Sequence, residues 1–282
     1  MNDTTQKPTL VLAGTGKIGR RVAARLTARG VPVRIGSRSG QPGFDWDDRS
    51  TWQPALDGVE AAYVCHHWDT LPGAAETLGA FAELAVQSGV TRLVMLSGRG
   101  EDEAERGEQA VRDSGAELTI LRSTWFAQNF SEDYWLDQVR GGRLALPAPD
   151  TPEPFVDADD IADVAVAALT DDRHIGELYE LTGPRLLTFA DAVGEISRVV
   201  GRDIEFVPVS AAEFAAAAAE EHVPAEVVEL LNLLFAEVLD GRNARLGDGV
   251  QRALGRAPKD FSEYAQQTAS TGVWDPDSAR AA

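Results

Sequence analysis

The sequence predicts an α/β protein built on a doubly wound parallel sheet, with a smaller, mostly helical region toward its C-terminal end. Three observations lead there. An apolar strand, Leu10 to Ala13, runs directly into Gly14-Thr-Gly16-Lys-Ile-Gly19 and then into helical spacing. Apolar runs of strand length alternate with helix-length segments through the first half of the chain, a rhythm that calls for a parallel sheet covered on both faces. Past Phe130 it gives way to proline-rich and then helical sequence.

The elements follow in order. Ile18 to Arg29 has helical spacing, Gly30 closes it, and Val31 to Gly36 is a second strand, which completes one βαβ unit. Gly58 to Val64 reads as the third strand, Gly73 to Gln87 as a helix ended by Ser88-Gly89, and Arg92 to Leu96 as the fourth strand. Glu101 to Asp113 is a charged helix stopped at Ser114-Gly115, and Leu118 to Leu121 is the fifth strand. Arg143 to Leu146 has strand character, and residues 147–154, with four prolines, form a loop. Ile161 to Leu169 is a helix and Leu178 to Leu181 a strand. Thr188 with Asp191, and Ser210 with Glu213, have the spacing of capping boxes that open two further helices. Pro224 starts a helix whose apolar stripe is expected at Val227, Leu230, Leu231, Leu234 and Val238, and Asp260 to Gln267 is a last short helix. These elements divide into a dinucleotide domain over residues 1–150 and a helical cap over 183–282. The helix near 159–171 and the strand near 178–181 are expected to pack back on the first domain.

With 282 residues and 44% hydrophobic composition the chain can bury a large core. Its net charge of -19, from 45 acidic against 26 basic residues, speaks against nucleic acid or an anionic membrane as partner and leaves a small-molecule substrate. Cys65 is the single cysteine, so neither an intramolecular disulfide nor a cysteine-rich zinc site can form. The N-terminal residues lack the apolar core of a signal peptide, and no stretch reaches about 18 apolar residues, so the expected location is the cytoplasm. His66 and His67 are adjacent but no third ligand is evident, and no metal is expected.

Gly14-x-Gly16-x-x-Gly19 between a strand and a helix is the pattern of a dinucleotide site. Gly14 is expected to turn the chain sharply off the strand, Gly16 to clear the approach to the pyrophosphate, and Gly19 to let helix and strand pack closely. The helix N-terminus then offers free N–H groups to phosphate. In NAD-binding sites an acidic residue ends the second strand, whereas here Ile35-Gly-Ser37-Arg38-Ser39 supplies a hydroxyl and a guanidinium suited to a 2′-phosphate, so NADPH is preferred over NADH.

With these residues placed, the chain resembles the NmrA-like branch of atypical short-chain dehydrogenases. The likeness rests on AGTGKIGRRV, IGSRS, SGVTRLVMLS, SGAELTILRSTWFAQNF, VDADDIADVAVAAL and LTGPRLLTFADAV. Within that family it is most similar to the festuclavine and agroclavine dehydrogenase branch of ergot-alkaloid metabolism, through Phe44-Asp45-Trp46, Thr124-Trp125-Phe126 and Ala257 to Phe261. The resemblance implies a Rossmann fold and NADPH-dependent reduction of an iminium carbon in a polycyclic amine. It assigns Gly14, Thr15, Gly16, Lys17, Ile18 and Gly19 to the pyrophosphate, Ser37 and Arg38 to the ribose phosphate, and Asp45 and Trp46 to the adenine. It puts Cys65, His66, Ser97 and Gly98 along the cofactor, and Ser123, Thr124 and Trp125 by the nicotinamide.

Ordinary short-chain dehydrogenases carry Tyr-x-x-x-Lys in the helix after the fourth strand, where the Tyr donates a proton to a carbonyl oxygen. The helix here contains neither residue. Reducing a ketone needs hydride and a proton, whereas a preformed iminium needs only hydride and an electron-rich pocket, which aromatic faces provide. Strand-end candidates for substrate contact are His67, Trp68, Trp125, Phe126, Asn129, Tyr134 and Trp135, and for catalysis His66, Ser97 and Trp125. The leading expectation is an NADPH-dependent reductase of C=N bonds in secondary metabolism. Two alternatives stand beside it: a carbonyl, quinone or enone reductase with His66 or His67 as proton donor, and a non-catalytic NADP sensor of the NmrA type.

Overall fold

The computed structural model describes residues 6–67, 69–132 and 135–276. In chain order the elements are β1 (Thr9–Leu12), α1 (Lys17–Ala28), β2 (Val33–Gly36), α2 (Trp52–Leu56), β3 (Ala61–Val64), α3 (Ala74–Gln87), β4 (Arg92–Gly98), α4 (Asp102–Asp113) and β5 (Glu117–Ser123). They continue with α5 (Leu136–Gly141), β6 (Arg143–Leu146), α6 (Ala158–Thr170), β7 (Leu178–Leu181), α7 (Phe189–Val200), β8 (Glu205–Pro208), α8 (Ala211–Glu220), α9 (Ala225–Glu237), α10 (Gly249–Leu254) and α11 (Phe261–Ala269). The chain divides into two units. The first takes residues 1–123, 158–181 and 248–256, and the second takes 124–157, 182–247 and 257–282. The division expected at residue 150 lies inside the second unit, because residues 124–157 pack on its core.

The first unit is a six-stranded sheet in the order β2-β1-β3-β4-β5-β7, every pair parallel. Its strands read as near-continuous apolar runs because helices bury both faces. From β1 the first crossover moves one way to β2, and from β3 the next moves the other way to β4. Right-handed crossovers in opposite directions put their helices on opposite faces, so α1 packs with α6 and α3 with α4. On α3 the buried residues Leu78, Phe81, Ala82 and Ala85 recur at helical spacing and meet Trp46, Trp52 and Leu93 in one core.

The acidic run after Val156 has a mechanical role. Asp159 and Asp163 of α6 receive Arg25 at 2.8 and 2.7 Å, and Asp160 and Asp163 receive Arg256 at 2.6 and 2.7 Å. Asp163 thus joins α1 to a segment more than two hundred residues away.

The second unit holds the parallel pair β6-β8 and the helices α5, α7, α8, α9 and α11. Both expected capping boxes form, at Thr188 with Asp191 and Ser210 with Glu213. Its core is aromatic: Phe130, Trp135, Phe155, Phe189, Phe235, Phe261 and Trp274 are all buried. The stripe of α9 is met in part: Leu231 packs on the core and Val238 at the helix end is buried as expected, whereas Val228 and Phe235 are buried and Val227, Leu230 and Leu234 are half-buried at its flanks. Short elements without periodicity, α2, α5, β8 and α10, were not expected. β8 is four residues with no buried member and ends in proline, so nothing in its composition distinguishes it from a loop.

Candidate functional site

The turn out of β1 is built differently from the expectation. The left-handed residue is Ala13, at φ 49°, and Gly14 is required for space: a Cβ there would lie 2.8 Å from the Val11 carbonyl oxygen and 2.9 Å from Ile35. Gly19 is stricter, since its Cβ would fall 2.1 Å from the Ala13 carbonyl oxygen. Gly16 caps α1 in an extended conformation, with no side-chain cap and no acidic residue in the first turn. Neither a capping side chain nor an acidic residue of the first turn thus competes for the positive end of the α1 dipole, the arrangement a pyrophosphate needs. Thr15 is exposed and Lys17 half-buried, whereas the Ile18 side chain is in the core, so only its backbone can serve a ligand.

At the end of β2 the carbonyl of Ser37 accepts from Gly40 and Phe44, each at 2.9 Å, which folds the loop over and leaves the Arg38 side chain exposed. Asp45 follows, its carbonyl accepting from the Trp52 indole at 2.9 Å. Trp46 is a core residue: its indole donates to the Cys65 carbonyl at 3.1 Å and its ring packs against Phe44, Trp52 and Phe81. What it offers the site is a backing for His66, whose ring lies 4.7 Å away, and His67 stacks on His66 at 5.3 Å. Desolvation lowers the His67 pKa, Asp47 opposes this, and the Arg38 charge adds to the lowering. The sequence placed His67 with the substrate; the structure sets it within reach of Arg38 and Asp47, beside the end of β2.

Ser97 also sits differently from the expectation. It is buried, and its hydroxyl donates to Glu108 of α4 at 2.7 Å, away from the strand edge. Arg122 of β5 clamps the same carboxylate through Nε and Nη2, both at 2.7 Å, and reaches Glu105 at 3.1 Å. Beside it Arg99, buried, reaches Glu180 of β7 at 3.3 Å. The α4 face that would carry a Tyr-Lys pair thus holds carboxylates that pin helix to sheet. The Glu101 carboxylate lies over Gly98, 2.2 Å from where a Cβ would stand, and this flexible side chain would have to swing away to admit one.

The sequence missed Asp69. Val64, the last residue of β3, pairs with Met95, but β4 continues to Gly98, so its final turn of backbone lacks a strand partner on that side. The Asp69 carboxylate fills the gap by accepting the Gly98 N–H. Burial raises its pKa to about 7; its own N–H and that of Gly98 oppose the rise, and the Glu108 charge adds to it. The neighbouring Cys65 thiol is pushed up to about 12, first by burial and then by Asp69. No sequence signal marks Asp69, because its partner is chosen by the unequal lengths of β3 and β4.

Of the remaining expected residues, Ser123 closes β5 and its carbonyl accepts the Arg99 N–H at 3.0 Å. Thr124, Trp125, Phe126, Asn129 and Trp135 belong to the second unit. There the Thr124 hydroxyl donates to the buried Glu153 at 2.7 Å, and Trp125 stacks on Trp135 and Phe235 at 5.7 and 5.0 Å. Trp135, 4% exposed, is core, while Trp125, Phe126 and Asn129 are half-buried. Trp68 and Tyr134 lie outside the described residues. Among the described residues no cluster of three metal-ligating side chains occurs, and no helix is long and apolar enough to cross a membrane.

A doubly wound parallel sheet with an open helix N-terminus after β1 defines a Rossmann-type dinucleotide-binding protein. Residues 102–265 match the model of the NmrA-like family, and the chain belongs to that family. It is 33% identical over 285 residues to the oxidoreductase YesF of Bacillus subtilis, covering 95% of this chain and 98% of the relative. It is 30% identical over 289 residues to agroclavine dehydrogenase of Claviceps fusiformis, covering 94% and 98%. The solved structure of Citrobacter sp. triphenylmethane reductase complexed with NADP(H) superposes with a TM-score of 0.72 at 20% identity, over 93% of this chain and 99% of that one.

Proposed function

We propose that this protein is an NADPH-dependent oxidoreductase that reduces the C=N bond of a small cyclic or polycyclic iminium. The observation that carries the proposal is the inner face of α4. Glu105 and Glu108 are committed to Arg122 and Ser97, so this face supplies no proton to a nascent alkoxide. An iminium needs none.

The residues present fit the dinucleotide. Gly16 leaves the α1 N-terminus open, and Gly14 and Gly19 stand where any side chain would close the loop. When bound, NADPH supplies the hydride. The α1 N–H groups would hold its pyrophosphate, and Ser37 with Arg38 its 2′-phosphate, no carboxylate ending β2 to repel it. The relatives named as oxidoreductase and as agroclavine dehydrogenase, and the NADP(H)-bound reductase of similar fold, support this reading. Trp125, Phe126 and Asn129 are the proposed substrate contacts. The buried Trp125 indole N–H has no hydrogen-bond partner among the described residues and is free to meet an acceptor.

The test is a panel of cyclic iminium salts, quinones and ketones with NADPH, followed by loss of its near-ultraviolet absorbance. Turnover of iminium salts, with ketones inert, is the expected result. Turnover confined to quinones or ketones, or none despite tight NADPH binding, would overturn it.

A further inference from the structure

The second unit holds a cavity of about 480 Å³, and every residue that lines it belongs to that unit. Three elements form its walls. α8 gives Phe214, Ala217, Ala218 and Glu221 at helical spacing, β6 gives the alternate residues Arg143 and Ala145, and α5 gives Gln138 and Gly141 three residues apart. Each wall includes a small residue. Gly141, Ala145, Ala217 and Ala218 leave open the space that longer side chains would fill, while Trp135, Phe214 and Leu231 add apolar surface. Protein interiors leave few gaps larger than a water molecule, and the volume here is that of small-molecule sites, about 300–1,000 Å³.

The polar groups on these walls select a ligand. Trp135 is 4% exposed and lines the cavity, and its indole N–H makes no hydrogen bond among the described residues. Gln138 lines it too, and because its amide oxygen accepts the Ala145 N–H at 3.0 Å, the NH2 end is the one left to a ligand. The less exposed polar groups are therefore donors. Full charges come only from exposed residues, the carboxylates of Glu213 and Glu221 against the guanidinium of Arg143, which also has Glu205 at 4.0 Å. One Glu213 oxygen accepts the Ser210 N–H and hydroxyl, each at 2.8 Å, and this cap leaves its charge in place.

We propose that this cavity binds a neutral or positively charged polycyclic compound whose ring carbonyl accepts from the Trp135 indole, at a site separate from the groups assigned to the dinucleotide. A sheltered indole N–H gains most from an acceptor that arrives with the ligand, since a buried donor without a partner is costly. The rings of such a compound cover the apolar surface of Trp135, Phe214 and Leu231. An anion is disfavoured, because carboxylates outnumber the one guanidinium along the lining. The site stands whether or not the protein reduces an iminium.

The experiment titrates the full chain with Nile red, a neutral polycyclic dye that carries a ring ketone, and follows the rise in its fluorescence. Saturable binding at a single site is expected. Ala217 is an exposed position of α8, so Ala217→Leu is expected to fold, as a melting curve will show, and its longer side chain should weaken binding about tenfold or more. Trp135→Phe keeps a ring and removes the N–H. It should weaken binding about three- to tenfold and shift the bound dye's emission to the blue, because a hydrogen bond to the ketone shifts that emission to the red. If Trp135→Phe does not fold, Ala217→Leu decides. Absence of saturable binding overturns the proposal, as does an affinity unchanged in folded Ala217→Leu. Affinity and emission both unchanged in folded Trp135→Phe overturn the role of its N–H, and equally tight competition by the anion anilinonaphthalene sulfonate overturns the ligand class.

Discussion

Replacing Arg122 by methionine removes the cation that clamps Glu108 and leaves a buried carboxylate with little more than the Ser97 hydroxyl. Glu108 is 2% exposed and takes two 2.7 Å bonds from Arg122 and one from Ser97. Stranding one member of such a pair costs about 3–5 kcal/mol, whereas replacing both by apolar residues of similar volume is often near neutral. Arg122→Met is therefore expected to lose about 3–5 kcal/mol at pH 7.5, and Glu108→Leu with Arg122→Met to recover most of it. The sign with pH follows from linkage. In the single variant the buried Glu108 side chain lacks its cation, so the loss is expected to be larger at pH 7.5, where carboxylates are charged, than at pH 4. Urea unfolding followed by far-ultraviolet circular dichroism at pH 4 and 7.5 measures both effects. A loss under about 1 kcal/mol at pH 7.5, or a loss of equal size at both pH values, would refute the reasoning.

Arg38→Ala should reduce the preference for NADPH over NADH by about 10- to 100-fold, the worth of one or two charge-assisted contacts, in parallel titrations of the two cofactors. Gly19→Ala places a Cβ 2.1 Å from the Ala13 carbonyl oxygen and should cost about 1–3 kcal/mol together with much of the dinucleotide affinity, read by thermal melting with and without NADP+. Asp260→Ala removes the α11 cap, which accepts from the Ser262 N–H at 2.8 Å, and should cost about 0.5–2 kcal/mol near neutral pH. Arg185 holds the Asp260 carboxyl well below the usual range, so its contribution is present above about pH 4 and fades as pH falls, and the gap between variant and wild type should close in acid.

What the sequence makes legible is what lies contiguous along it. The β1 loop, α1 and the end of β2 are covalent neighbours whose glycines and periodicity state their own requirements, and they appear where expected. Even there the left-handed residue proved to be Ala13, and the space that Gly14 must leave is set in part by Ile35, on another strand. Ser97 looked like a strand-end hydroxyl available to a ligand, and only the packing of α4 shows it turned to Glu108. Asp69 gave no signal, since its role arises from β4 outlasting β3. Trp125 and Trp135 read as strand-end aromatics, yet their stacking partner Phe235 comes from a helix a hundred residues on. The motif Val156 to Asp163 was visible as a family signature, and its work as an ion-pair clamp was not, because Arg25 and Arg256 are remote in sequence.

That clamp bears on how the protein is made. The nucleotide-binding unit is closed by residues 248–256, where Arg256 reaches α6 and α10 packs on β7. During synthesis the glycine loop emerges more than two hundred residues ahead of the segment that completes the unit supporting it. The Rossmann half of this enzyme cannot finish folding as an independent N-terminal block on the ribosome. Nascent chains halted before residue 248 should be read by proteases as unfinished however complete their glycine loop is.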